Sequence, residues 1–198
     1  MNQNKQVIGR LDTIYQRRSV RSYLKRHVSN NIIDSLIDAA IHAPTAMHQE
    51  ALAFAVIQDQ DLLKRISDHA KKLLAEERKN PASPFHHESL DYFTNPAFNI
   101  FYGADALVII FGKSDRPFIS ADCWLAAENL MLAACHMGIG SCVVGLAVEA
   151  LNSKELRNEL EIPDNLTAFA PIILGYPSEE LPAKSRKKPN VIFKKNFN

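Results

Sequence analysis

Three arginines and two serines fall within the eight residues QRRSVRSY, positions 16–23. A guanidinium presents a planar fork of N–H donors that matches two oxygens of a phosphate or carboxylate. Arg17, Arg18 and Arg21 therefore form a candidate anion site, to which Ser19 adds a hydroxyl and a backbone N–H. A second basic group, Lys184, Arg186, Lys187 and Lys188, lies far away in the sequence. Converging on one dianionic phosphate, the two groups would make a cradle. Standing apart, each is a solvated charged face.

The other reactive side chains are sparser. HAPTAMHQEAL (42–52) carries His42 and His48, but six residues and Pro44 separate them, which is not metal-ligand spacing. His86 and His87 offer no better set, and no metal site is expected. Cys142 sits in a glycine-flanked segment with nothing to activate it and reads as a packing thiol. There is no GxSxG, GxGxxG or P-loop, and Gly138-x-Gly140 is a turn after a helix. No triad or dyad is found, and the reaction type does not follow from these residues alone.

The elements that must position these residues follow from periodicity. Leu11, Ile14 and Tyr15 make a short amphipathic helix ahead of the arginines. Ser29 is placed to cap a second helix whose stripe runs from Ile32 to Ile41 and ends before Pro44. LAFAVI (52–57) reads as a buried strand, residues 61–79 as an amphipathic helix, and ALVIIFG (106–112) as a strand buried on both faces. Residues 120–138 are apolar nearly all round and stop at Gly138, so that helix needs cover on every side, including from a second subunit. SCVVGLA (141–147) is a short strand or loop, 152–162 a surface helix, and AFAPIILGYP (168–177) the last core strand, with Pro171 marking an edge or a bulge. The order implies an α+β, layered α/β/α domain.

With 198 residues, 46% hydrophobic and 23% charged, one domain over 1–198 is expected, with 80–96 as a candidate flap and 183–198 as a basic tail. The net charge of +1 favours neither nucleic acid nor an anionic membrane. The absence of an apolar leader and the odd count of three cysteines suit a reducing cytoplasm.

The ordered motifs also carry a resemblance. RRSVRSY is similar to the flavin-phosphate motif of the nitroreductase family of FMN oxidoreductases. AAIHAPTAMHQEALAFAVI resembles that family's APSSxNxQPWxF helix-turn-strand, MGIGSCVVG its GLGSCWIG-like segment, and APIILGYP with RKKP its last core strand and basic tail. The resemblance spans roughly residues 10–193. It implies a central, mostly antiparallel sheet flanked by helices, in an obligate, domain-interlocked homodimer with FMN at the interface and the 120–138 helix at its centre. It implies that Arg17, Arg18 and Ser19 hold the ribityl phosphate, with Arg186 and Lys188 closing it, or Lys187 in place of Lys188. Arg21 would reach the pyrimidine edge, and Pro44, Thr45, Ala46 and His48 would come from the partner. The backbone of Val143, Val144 and Gly145 would pass near flavin N5, and Ile100 or Phe101 would lie over the pocket.

The implied chemistry is ping-pong transfer of hydride from NAD(P)H through the flavin to a nitro compound, quinone or similar small acceptor, with the flavin carrying the chemistry and no side-chain nucleophile or general base required. The sequence departs from the family where its asparagine is His48 and its Gln-Pro-Trp is Glu50-Ala51-Leu52. Two other readings stand beside this one. One is an FMN-binding protein with little NAD(P)H turnover; the other is a flavin-free protein whose basic clusters meet acidic partners.

Overall fold

A computed structural model describes residues 11–80, 82, 95–182 and 185–195. Residues 11–16 are helical. They are followed by α1 (Asn30–Ile41), a 3-10 turn (Ala46–His48), β1 (Leu52–Ile57), α2 (Gln60–Glu77), β2 (Ala106–Lys113), α3 (Ile119–His136), β3 (Gly140–Val143), α4 (Ala147–Asn152), α5 (Lys154–Glu159) and β4 (Leu166–Gly175). The four strands form one antiparallel sheet in the order β1-β2-β4-β3.

Alternation along β2 divides the core in two. Val108 and Ile110 face a cluster with Leu36 of α1 and Ala126 and Leu130 of α3. Leu107, Ile109 and Phe111 face the opposite cluster, with Leu63 and Ile66 of α2 and Leu151 of α4. Successive strand residues point to opposite faces, so an unbroken apolar run is the pattern of a strand covered on both sides. The result is the expected three-layer α/β/α domain.

Several expectations change in detail. β1 is an edge strand and mostly half-buried, because only β2 pairs with it. β4 is interior, not an edge. The expected bulge is present, since Ile110 faces Ala170 while Phe111 faces Ala168, leaving Phe169 as the extra residue. Pro171 is tolerated because β3 pairs no further than Val143, and the Pro171 carbonyl accepts from Val144 N–H at 2.9 Å. Ser29 stands at the N-cap of α1, but its backbone carbonyl, not its side chain, receives the first helical N–H groups.

α3 ends as expected at Gly138, at φ +71°. Ile139 N–H reaches the Ala134 carbonyl at 2.8 Å and Gly138 N–H that of Cys135 at 3.2 Å, a Schellman closure that turns the chain into β3. Among the described residues, no helix is long and apolar enough to cross a membrane. Most of the 80–96 segment lies outside the described residues.

Candidate functional site

The arginine segment is laid along the free edge of β3. Ser19 bridges Ser141 in parallel, and Val20 N–H donates to the Ser141 carbonyl at 3.0 Å. Farther on, Tyr23 bridges Pro177 and Leu24 N–H donates to the Tyr176 carbonyl at 2.8 Å. An edge strand exposes unpaired N–H and C=O groups. Here the arginine segment supplies their partners and is thereby positioned itself.

A cavity of about 470 Å3 opens on this segment, lined by Arg17, Arg18, Ser19 and Arg21 and, from the tail, Glu179 and Arg186. The convergence that the sequence left open is therefore real for Arg186. Among the described residues, Lys187 and Lys188 do not line the cavity, and Lys184 lies outside the described residues. Four arginines against one glutamate make the cavity strongly cationic.

The arginines are not equivalent. Arg18 donates from Nε to the Pro182 carbonyl at 3.0 Å and from Nη1 to the Tyr15 and Arg17 carbonyls at 2.7 and 2.6 Å. It ties the tail to the N-terminal segment. Arg17 Nε lies 3.4 Å from Glu128 Oε1 on α3, yet it is buried and makes no hydrogen bond among the described residues. Arg21 stands 5.9 Å from the centre of the Tyr102 ring, within cation–π range.

Tyr102 escaped sequence reasoning, which singled out its neighbours. Ile100 and Phe101 are each 1% exposed and packed in the core beneath α2, so neither lies over the cavity. Tyr102 has φ +56° and precedes Gly103 at φ +69°, and this left-handed pair turns the ring back toward Arg21. The Tyr-Gly step within FNIFYGAD was the available signal.

Val143, Val144 and Gly145 follow Ser141 and Cys142 in the chain but do not line the arginine cavity. Cys142 is buried, and its thiol donates to the Val143 carbonyl at 3.3 Å. Burial pushes its pKa up, while Arg21 and Ser19 pull the other way. It stays a packing thiol.

The turn after α1 is strained. Met47, His48 and Glu50 all have positive φ, at 55°, 51° and 46°. Such conformations persist where neighbours over-determine them, often at functional sites. Here Ala46 N–H donates to Asp122 Oδ1 of α3 at 3.0 Å, and Glu50 N–H to Thr45 Oγ1 at 3.3 Å. Thr45 and Glu50 line a separate cavity of about 370 Å3 with His42 and Phe54. Within one chain, the structure does not bring Pro44, Thr45, Ala46 or His48 to the arginines. Among the described residues, no group of three or more His, Cys, Asp or Glu could hold a metal ion.

An antiparallel four-stranded sheet between helical layers, with an arginine segment on its β3 edge, is the architecture of a known class. The chain belongs to the nitroreductase family, whose profile matches residues 14–176. A candidate NADH dehydrogenase/NAD(P)H nitroreductase of Archaeoglobus fulgidus is 32% identical over 170 residues, 86% of each chain. The nitrobenzene nitroreductase of Ectopseudomonas oleovorans is 28% identical, covering 86% of this chain and 88% of its own. In structure, the chain is similar to a Bacteroides fragilis nitroreductase crystallised with FMN. The TM-score is 0.78 at 25% identity, over 93% of this chain and 96% of that one.

Proposed function

We propose that the chain is an FMN-dependent NAD(P)H oxidoreductase. It works as a homodimer and passes hydride to small electron-deficient acceptors, such as nitro compounds or quinones, in a ping-pong sequence. The observation that carries this reading is the meeting of Arg17, Ser19, Arg21 and Arg186 on one cavity. The residues fit the phosphate of FMN. The guanidinium forks of the arginines and the Ser19 hydroxyl on one wall are the donor set that phosphate oxygens accept from.

When bound, FMN supplies the hydride chemistry. The chain's own residues bind and orient. Arg17, Ser19 and Arg186 hold the phosphate, while Arg18 secures the tail that carries Arg186. Arg21, backed by the Tyr102 ring, places a cation where it would stabilise negative charge on a reduced flavin. Val143, Val144 and Gly145 offer backbone to the ring. The 44–48 turn serves the partner's cofactor, a role supported by the separate cavity that Thr45 lines.

The homodimer is supported by α3, whose outer side exposes Trp124 at 44% and Leu125 at 46%, with Ile41 and Phe118 also exposed. The cytoplasm is the compartment that suits the three free cysteines.

The test is the visible spectrum of the purified protein, followed by NADH or NADPH under anaerobic conditions. Flavin bands that bleach with either donor are the expected result. Bands that persist with both, yet bleach with dithionite, would favour the flavoprotein with little turnover. That second reading has Glu50 as its support, an acidic side chain at positive φ beside Thr45. A colourless protein that takes up no FMN would end both readings.

A further inference from the structure

We infer that Gly140 and Gly175 are positioning residues of the arginine cradle. Lacking side chains, they leave a paired notch in which Val20 and Tyr23 seat, and that seating sets where Ser19 and Arg21 stand. The inference rests on the proposed reading of the cavity as the flavin-phosphate site, and it adds the device that builds it.

Gly140 and Gly175 are direct partners in the β3–β4 ladder. Neither has a positive φ. The backbone there admits any residue, so their identity answers to a neighbour and not to a torsion. A Cβ on Gly140 would lie 2.9 Å from Val20 Cβ and from both of its methyl carbons. A Cβ on Gly175 would lie 2.7 Å from Tyr23 Cδ1 and 3.2 Å from Cγ. The contacts under 3.0 Å are too short to exist, so a Cβ at either position must displace its neighbour. Val20 is branched at Cβ and 7% exposed, and the Tyr23 ring is rigid.

The two seats are also joined to each other. Tyr23 Oη donates to the Val20 carbonyl at 2.6 Å, closing a loop over Arg21 and Ser22. Val20 N–H is bonded to Ser141, and Ser178 N–H reaches the Ser22 carbonyl at 3.1 Å. Ser19 and Arg21 flank Val20, so any lift of Val20 off β3 moves both. By contrast, a Cβ on Gly103 or Gly138 would meet nothing within 4 Å, and both those glycines have positive φ. Torsion accounts for that pair, whereas space accounts for Gly140 and Gly175.

The experiment compares wild type, Gly140→Ala, Val20→Ala and the double variant. FMN retention is measured on the purified flavoproteins by dilution and recovery of flavin fluorescence, and hydrogen exchange is followed at the Val20 amide. Gly140→Ala is expected to weaken FMN retention on the order of tenfold or more, the usual penalty of overpacking. The Val20 amide should lose protection while β2 amides keep theirs. Val20→Ala in the same chain removes the two clashing methyls and leaves only the Cβ contact, so the double variant is expected to recover part of the retention and the protection.

Unchanged retention and exchange in Gly140→Ala would overturn the inference. So would a loss that Val20→Ala fails to relieve, since the damage would then not run through the notch. If wild type itself takes up no FMN, the functional reading falls, and exchange at Val20 alone decides whether the glycines seat the segment.

Discussion

Replacing Asp122 by alanine tests whether the strained 44–50 turn is held from α3. The residue is 6% exposed, and its Oδ1 accepts the Ala46 N–H at 3.0 Å. Met47, His48 and Glu50 each occupy a left-handed conformation that costs about 1–2 kcal/mol. The turn therefore needs external support. A hydrogen bond to a charged acceptor is worth about 1.5–3 kcal/mol. The carboxylate's place in the first turn of α3 adds about 0.3–1 kcal/mol, and relief of its desolvation offsets part of the loss. The expected net destabilisation by Asp122→Ala is about 2 kcal/mol, or about 4–8 °C in Tm for a chain of this length. Asp122→Asn keeps an acceptor and should lose about half as much.

Thermal melts at equal chain concentration measure the first quantity, since self-association would make Tm depend on concentration. Hydrogen exchange at the Ala46 amide measures the second. An Asp122→Ala protein within about 0.5 kcal/mol of wild type, with Ala46 still protected, would refute the reasoning. The neighbouring Cys123 thiol is pushed up to about 12, first by burial and then by Asp122. Its pKa should fall in the variant, yet burial keeps it protonated at neutral pH and unreactive toward thiol reagents.

Three further outcomes are expected. Arg18→Ala should release the tail at Pro182, seen as faster proteolysis within 185–188, with a smaller loss of FMN than Arg17→Ala causes. Lys71 is 8% exposed and donates to the Asn95, Pro96 and Phe98 carbonyls. Lys71→Met should cost about 2–4 kcal/mol in denaturant unfolding, because those carbonyls lose their donor. Hydrogen bonds from Lys64 and Lys71 hold the Asp68 carboxyl below its ordinary pKa. The stability this contributes is complete above the unfolded carboxyl's pKa and is lost as pH falls through the lower folded value. Asp68→Asn should flatten that part of the stability–pH curve.

Most of the layering was legible because strand and helix periods differ. The run 106–112 was read as buried on both faces, and β2 is, because alternate residues enter separate cores. α4 was missed: its six residues are too short for a helical stripe to emerge beside the glycine before it. β1 looked buried because its composition is apolar, but pairing, not composition, decides which strand ends a sheet.

For the site, residue types pointed to an anion, and the sheet edge determined which cations meet it. Arg186 reaches the cavity, whereas Lys188 does not. Arg18, expected on the phosphate, is largely committed to carbonyls by the chain reversal at Tyr15 and the return of the tail. No spacing rule links Val20 to a glycine in β3. That contact exists only once the sheet is formed.

The wall shared by Arg21 and Arg186 has a consequence for biogenesis. The first is made early and the second 165 residues later. At 5–20 residues per second, translation separates them by about 8–30 s. Throughout that interval the nascent chain holds a cationic segment without the tail that completes its cavity. Anion capture by the complete cavity therefore waits until the tail has been made and the two sides of that wall first meet.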